Sequence, residues 1–191
     1  MNDYIDTTLV DKAINYAVLH HKNTRRRNKN FPYIIHPLEA MAIVSSITDD
    51  NELIAAAALH DLIEDTDVTY DDLKKEFGER IAKIVLSESI TEIPNYKEMT
   101  WVQAKQYNID ELKRSSLDVK IIALGDKLSN LRAINNDFKI VGMELWQRFH
   151  EKDPKIHKWR YNELLNCFGG LEDTNAYKEF KRLVEETFSG V

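Results

Sequence analysis

The run Ala55-Ala56-Ala57-Ala58-Leu59-His60-Asp61-Leu62-Ile63-Glu64-Asp65 constrains this chain more than any other. Four alanines favour a helix and let neighbouring backbones approach closely. Four ionisable side chains then fall within six positions. On one continuous helix, residues four apart share a face, so His60 would lie over Glu64 and Asp61 over Asp65. Charges carried into close packing must be compensated or they destabilise the fold. A bound cation compensates them. In the plainer alternative, His60 is a hydrogen-bonded core histidine and the three acids are the solvated end of an amphipathic helix.

Ligand-type residues elsewhere decide between these readings. In Phe31-Pro32-Tyr33-Ile34-Ile35-His36-Pro37, Pro37 suits the first position of a helix, and the residue before a proline is pushed away from helical geometry. The pattern predicts His36 at a loop-to-helix junction. Over residues 117–134 the apolar Leu117, Ile121, Leu124, Leu128 and Leu131 alternate steps of four and three, the stripe of a helix. Ile122, Asp126 and Asn130 make a neighbouring row, so an acid and an amide share one face. Asp126 followed by Lys127 is equally the pattern of an ordinary surface ion pair.

His36, His60-Asp61 and Asp126 in that order resemble the H…HD…D signature of the HD phosphohydrolase superfamily. Neighbouring motifs narrow the likeness: His21 with Arg25-Arg26-Arg27, Pro32-Tyr33-Ile34-Ile35-His36-Pro37, Leu59-His60-Asp61-Leu62-Ile63-Glu64-Asp65-Thr66, Phe77-Gly78, and Gly125-Asp126-Lys127-Leu128-Ser129-Asn130-Leu131. Together they are similar to the RelA/SpoT hydrolase domain, above all to its stand-alone small alarmone hydrolases of the metazoan SpoT-homologue type. The resemblance covers residues 20–132; the last third matches loosely. It departs from the family at Trp101-Val102-Gln103-Ala104-Lys105, where Ala104 stands in place of an arginine and puts the substrate contact of that arginine in doubt.

Composition sets the frame. At 191 residues, 43% hydrophobic and 30% charged, the chain is expected to be one globular domain, residues 1–191, with helices at 140–188 packing on the motif-bearing part. Six glycines, four prolines and repeated three-and-four apolar spacing predict an all-α helical bundle of roughly eight to ten helices. No run reaches the roughly 20 apolar residues of a membrane span, and the N-terminus lacks the basic-then-apolar order of a signal peptide, so a cytoplasmic protein is expected. The single Cys167 rules out an intramolecular disulfide and a cysteine-based zinc site, and reads as a small buried apolar residue. A net charge of −6 argues against a nucleic-acid binder. Lys22, Arg25, Arg26, Arg27 and Lys29 nevertheless crowd into one stretch just before His36, which favours phosphate binding over a plain solvated loop.

Local signals order the elements. Asp6, Thr7 or Thr8 caps a first helix striped by Leu9, Val10, Ala13, Ile14, Ala17 and Val18. A second helix runs over 37–47. Asp49 with Glu52 resembles a capping box opening the central helix, and Thr69 with Asp72 opens a short one ended by Gly78. A helix at 79–89 follows, then a loop over residues 90–97, where period is lost and Pro94 intervenes. Thr100 with Gln103 caps a helix to Leu112. Asn135-Asn136-Asp137 predicts a turn, Pro154 breaks before another helix that Gly169-Gly170 ends, and residues 174–188 form the last. The aromatic residues of this third, Trp146, Phe149, Trp159 and Phe168 among them, are expected in the core.

Two imidazoles and two carboxylates make a mixed N and O donor set suited to one divalent first-row ion such as Mn²⁺. By the resemblance, His36, His60, Asp61 and Asp126 bind it, and it activates a water against a phosphoryl group. Glu64 and Asp65 are then catalytic, one orienting or deprotonating water or protonating the leaving oxygen, the other holding its partner. Arg26 and Arg27 would meet base and phosphate, Asn130 and Lys127 ribose, phosphate or nearby charge, and Tyr33 would line the pocket. The resemblance thus implies 3′-pyrophosphohydrolysis of guanosine tetra- or pentaphosphate, a small-molecule nucleotide partner. Two rivals are another HD nucleotidase, acting on deoxynucleotides or NADPH, and a nucleotide sensor without catalysis.

Overall fold

In the computed structural model, residues 6–89 and 98–191 are described, and the loop expected at 90–97 lies outside them. The chain divides into two compact units, one within Met1–Glu92 and the other within Ile93–Val191. Among the described residues there are ten α-helical segments and no sheet, only an isolated bridge between Arg25 and Pro32. The all-α expectation is met.

In the first unit the sequence's caps start most helices, with shifts that have local causes. α1 (Thr8–His20) is entered through the Asp6 carboxylate, which accepts the Thr8 N–H at 3.0 Å, while its N-cap Thr7 makes no capping bond and turns its hydroxyl to Asp11 instead. α2 (Ile35–Ser45) begins two residues before Pro37 and also ends earlier than expected. The first four N–H groups of a helix have no intrahelical acceptor, so a proline at the third position removes no bond. His36 therefore lies inside the first turn, its own N–H donating to the Tyr33 carbonyl at 2.9 Å.

α3 (Asn51–Leu59) is capped by Asp50, whose side chain accepts the Glu52 N–H, rather than by Asp49. Arg80 reaches Asp50 at 2.8 Å and Glu52 at 2.6 Å; its hydrogen bond holds the Asp50 carboxyl below the ordinary range. Ala55, Ala56, Ala57, Ala58 and Leu59 are wholly buried, and α3 packs against α1, α2 and α6 (Glu79–Glu88). The helix does not run on to Asp65. It stops at Leu59, and α4 (Leu62–Asp65) is a separate turn. α5 (Tyr70–Phe77) carries the predicted Thr69/Asp72 capping box and ends at Gly78, whose φ of 89° is one a side chain would strain.

In the second unit, α7 (Trp101–Arg114) opens on the predicted Thr100/Gln103 capping box. α8 (Leu117–Val141) runs 25 residues, straight through the turn expected at Asn135-Asn136-Asp137. The reason is tertiary: Asn135 is buried and its amide donates to the Thr187 hydroxyl at 2.8 Å, so the side chain is satisfied across helices rather than by a local turn. The helix stops at Gly142, at φ 59°, before a 3₁₀ segment Gly142–Arg148. α9 (Pro154–Cys167) has Pro154 in its first turn and Asp153 as cap, and α10 (Asn175–Thr187) is capped by Thr174. Trp146 stacks on Phe188 at 5.5 Å, with Tyr161, Phe168 and Phe180 also buried, so this unit is held by aromatic rings where the first is held by small aliphatics. Phe149 and Trp159 are only half-buried. Cys167 is buried, and that burial pushes its thiol up to about 11.

Candidate active site

The break after Leu59 is what builds the first half of the site. His60 Nδ1 lies 2.9 Å from the Ala57 carbonyl. A carbonyl only accepts, so Nδ1 carries the proton and takes an acceptor that a continuing helix would offer to a backbone N–H. This leaves the Nε2 lone pair pointing away from the helix. Nε2 is 3.0 Å from Asp61 Oδ2, and His36 Nε2 is 3.5 Å from the same oxygen. Both histidine side chains are almost wholly buried, and Asp61 is 18% exposed. The imidazole rings sit 5.2 Å apart and 78° to one another.

Those spacings suit a cation. Two donors about 2.2 Å from an ion and at right angles are separated by about 3 Å, close to the 3.0 Å from His60 Nε2 and somewhat less than the 3.5 Å from His36 Nε2 to Asp61 Oδ2. Two imidazole nitrogens and a carboxylate oxygen are also the donor chemistry a first-row divalent ion takes. Of the four residues read as ligands, the first unit thus brings together His36, His60 and Asp61.

Tyr33, expected to line the pocket, is half-buried and lies edge-on to His36. Its hydroxyl donates to Asp61 Oδ2 at 2.5 Å. Burial, reinforced by the charges of Asp61 and Asp65, raises its pKa far above the ordinary phenol value, so it stays a donor. Glu64 and Asp65 are exposed on α4, and the split after Leu59 replaces the expected His60-over-Glu64 stacking on one helix.

The basic segment is a folded turn. The Arg26 N–H donates to the Phe31 carbonyl at 3.2 Å and Lys29 N–H to that of Arg26 at 3.0 Å, with Asn28 at φ 60°, a conformation asparagine tolerates. Arg25 and Arg27 are exposed, whereas Arg26 is half-buried with its guanidinium 5.5 Å over the Tyr33 ring.

In the second unit Asp126 is buried on α8, and Lys127 and Asn130 both donate to its carboxylate. The four-residue spacing of Asp126 and Asn130 accounts for the second contact. The Asp126-Lys127 pair is therefore real, but it is largely buried rather than an ordinary surface pair. Ala104 is buried in α7. Next to it, Trp101 carries two cations at ring-contact distance, Lys105 at 5.7 Å and Arg160 at 5.8 Å. Arg160 escaped the sequence reading because nothing in its neighbourhood of α9 marks it. His21 was named only as part of the motif with Arg25-Arg26-Arg27, with no role of its own, and it is buried.

A profile of the HD domain family matches residues 13–153. Among curated relatives, the guanosine-3′,5′-bis(diphosphate) 3′-pyrophosphohydrolase MESH1 of Xenopus tropicalis is 32% identical over 92% of this chain and 92% of its own length. The MESH1 of Drosophila melanogaster is 34% identical over 89% and 88%. The pyrophosphohydrolase of Aquifex aeolicus is 35% identical over 95% of this chain, which spans 25% of that longer protein. Among solved structures, one described as a metazoan orthologue of SpoT that hydrolyses ppGpp superposes with a TM-score of 0.77 over 96% of this chain and 97% of the other at 22% identity, a likeness of fold. A Listeria monocytogenes protein superposes at 0.69 with 26% identity, over 81% of this chain and 99% of its own. The profile match and the near full-length likeness to the MESH1 enzymes agree with the His36, His60 and Asp61 grouping, and the chain belongs to the HD domain family, in the RelA/SpoT-type hydrolase branch that includes MESH1.

Proposed function

We propose that this chain is a divalent-metal-dependent hydrolase that removes the 3′-pyrophosphate of guanosine tetra- or pentaphosphate, giving GDP or GTP and pyrophosphate. The observation that carries the reading is the meeting of His36 Nε2 and His60 Nε2 on one oxygen of Asp61. The relatives named for this reaction, matched over 92% and 88% of their length, support the choice of substrate. On this reading the whole chain works as one cytoplasmic hydrolase domain.

His36, His60 and Asp61 hold the ion, and the motif order in the sequence assigns Asp126 as the fourth ligand. A divalent ion such as Mn²⁺, when bound, supplies Lewis acidity toward a phosphoryl oxygen and eases deprotonation of water. Glu64, exposed at the end of α4, takes the proton of the attacking water, and Asp65 orients it. The water oxygen bonds to the phosphorus next to the ribose, the bond from that phosphorus to the 3′-oxygen breaks, and the proton passes to the 3′-oxygen. Arg26 and Arg27 hold base and phosphate, a task suited to a planar guanidinium that both stacks and donates in pairs. Asn130 and Lys127 complete the contacts to ribose and phosphate.

The test uses the purified protein stripped of metal with EDTA. Addition of Mn²⁺ is expected to restore pyrophosphate release from guanosine tetraphosphate; no release with Mn²⁺, Mg²⁺ or Zn²⁺ overturns the reading.

A further inference from the structure

Tyr33 and His21 are linked by backbone as well as by ring contact. The Thr24 N–H and hydroxyl both donate to the His21 carbonyl, at 3.1 and 2.6 Å, and the Thr24 carbonyl accepts the Tyr33 N–H at 3.0 Å. This stitching sets the His21 ring against that of Tyr33, centroids 4.9 Å apart and tilted by 45°. His21 is 3% exposed, and among the described residues neither of its ring nitrogens has a hydrogen-bond partner. With neither nitrogen bonded among the described residues, the imidazole meets Tyr33 as a ring and not through a directional bond. What it offers Tyr33 is a wall. On its other side Tyr33 lies edge-on to His36, 5.9 Å away at 75°, and its hydroxyl ends on Asp61 Oδ2.

We infer that Tyr33 is a positioning residue for Asp61, fixing the carboxylate by its hydroxyl, and that His21 acts through Tyr33 by packing against its ring. Asp61 is the most exposed of the three grouped side chains. A carboxylate has two oxygens and free rotation about its last bond, and a donor on one oxygen removes that freedom. Partners of this kind, donating to a ligand rather than touching the ion, typically change metal affinity 10–100-fold when removed. The inference rests on the proposed hydrolase reading for its consequence in turnover, but its first readout does not need turnover.

The experiment titrates Mn²⁺ into metal-free wild-type, Tyr33→Phe, His21→Ala, His21→Phe and the Tyr33→Phe/His21→Ala double variant by calorimetry, followed by guanosine tetraphosphate kinetics. Tyr33→Phe is expected to weaken Mn²⁺ about 10–100-fold, with a change in nucleotide KM at saturating Mn²⁺ of less than about threefold. His21→Ala weakens Mn²⁺ less, His21→Phe restores it because a ring is all that is needed, and the double variant is no worse than Tyr33→Phe alone. Unchanged Mn²⁺ affinity in Tyr33→Phe with a raised KM overturns the inference in favour of a substrate-lining tyrosine. Additive losses in the double variant, or a loss in His21→Phe as large as in His21→Ala, overturn the role of His21. If His21→Ala does not fold, His21→Asn takes its place in the cycle, and Tyr33→Phe still decides the first link. A wild-type protein that binds Mn²⁺ but releases no pyrophosphate counts against the proposed function and leaves this inference standing on its affinities.

Discussion

Asp61 in the first unit and Asp126 in the second were read from sequence as equivalent ligands, but the groups held against each within its own unit differ in charge. Asp61 faces two imidazole Nε2 atoms and a phenol, none of which carries a fixed positive charge. Asp126 is buried against the ammonium of Lys127 and the amide of Asn130, so its charge is already balanced within its own helix. An acid set between two imidazole nitrogens is arranged for an added cation. An acid with a resident lysine already has a counter-charge and a hydrogen-bonded pose within its own helix.

The sharpest way to break this contrast is His60→Ala, which removes an imidazole whose Nδ1 is held by the Ala57 carbonyl. Metal-dependent turnover is expected to fall to background and calorimetric Mn²⁺ binding to be lost; retention of both would mean that His60 is a core histidine. Glu64→Gln comes next. It keeps shape and removes the proton-accepting charge, so kcat should drop about 10²–10⁴-fold with Mn²⁺ affinity nearly intact. An unchanged kcat would move the proton transfer to Asp65.

On the other side of the comparison, Asp126→Asn should cost stability even without metal, because it leaves the Lys127 charge with a neutral partner. Lys127 is itself partly exposed, so the loss is about 1–3 kcal/mol rather than the larger cost of a fully buried pair. Urea unfolding of the metal-free protein measures it, and Asp61→Asn in the same assay is expected to cost less. Equal losses for the two variants would erase the distinction drawn between them.

How legible each region was follows from the same physics. The three-and-four stripes, the Thr69/Asp72 and Thr100/Gln103 capping boxes and the Gly78 stop are local signals, and each appears where it was read. The break after Leu59 was not legible. It depends on His60 taking the Ala57 carbonyl, a side-chain choice that the helix-favouring alanines conceal. Nor was the length of α8, since only the Thr187 hydroxyl, 52 residues away, makes Asn135 content inside a helix. The grouping of His36, His60 and Asp61 could be inferred from the spaced motifs, whereas the Tyr33 hydrogen bond could not, because the sequence does not say which way a tyrosine in such a loop turns.

The smallest expected effect concerns pH. Burial lowers the pKa of His157 in the second unit, where its ring stacks on Trp146 at 5.0 Å and Nε2 donates to the Glu151 carbonyl at 2.9 Å. With the folded pKa below the unfolded value of about 6.5, the unfolded chain binds the extra proton first. Stability is full above the unfolded pKa and declines as pH falls through it toward the folded one. Unfolding free energies between about pH 7 and pH 5 should therefore fall less steeply in His157→Phe than in the wild type; parallel slopes would contradict the assignment.

The central claim is tested most directly by offering the purified protein, with Mn²⁺, a panel of guanosine tetraphosphate, deoxynucleoside triphosphates and NADPH, and measuring pyrophosphate and orthophosphate separately. The account predicts pyrophosphate and GDP from guanosine tetraphosphate in one step, at a kcat/KM well above that for any other member of the panel. Orthophosphate as the first product, or a preference for a deoxynucleotide or NADPH, would contradict the assignment of substrate while leaving the HD domain fold as described.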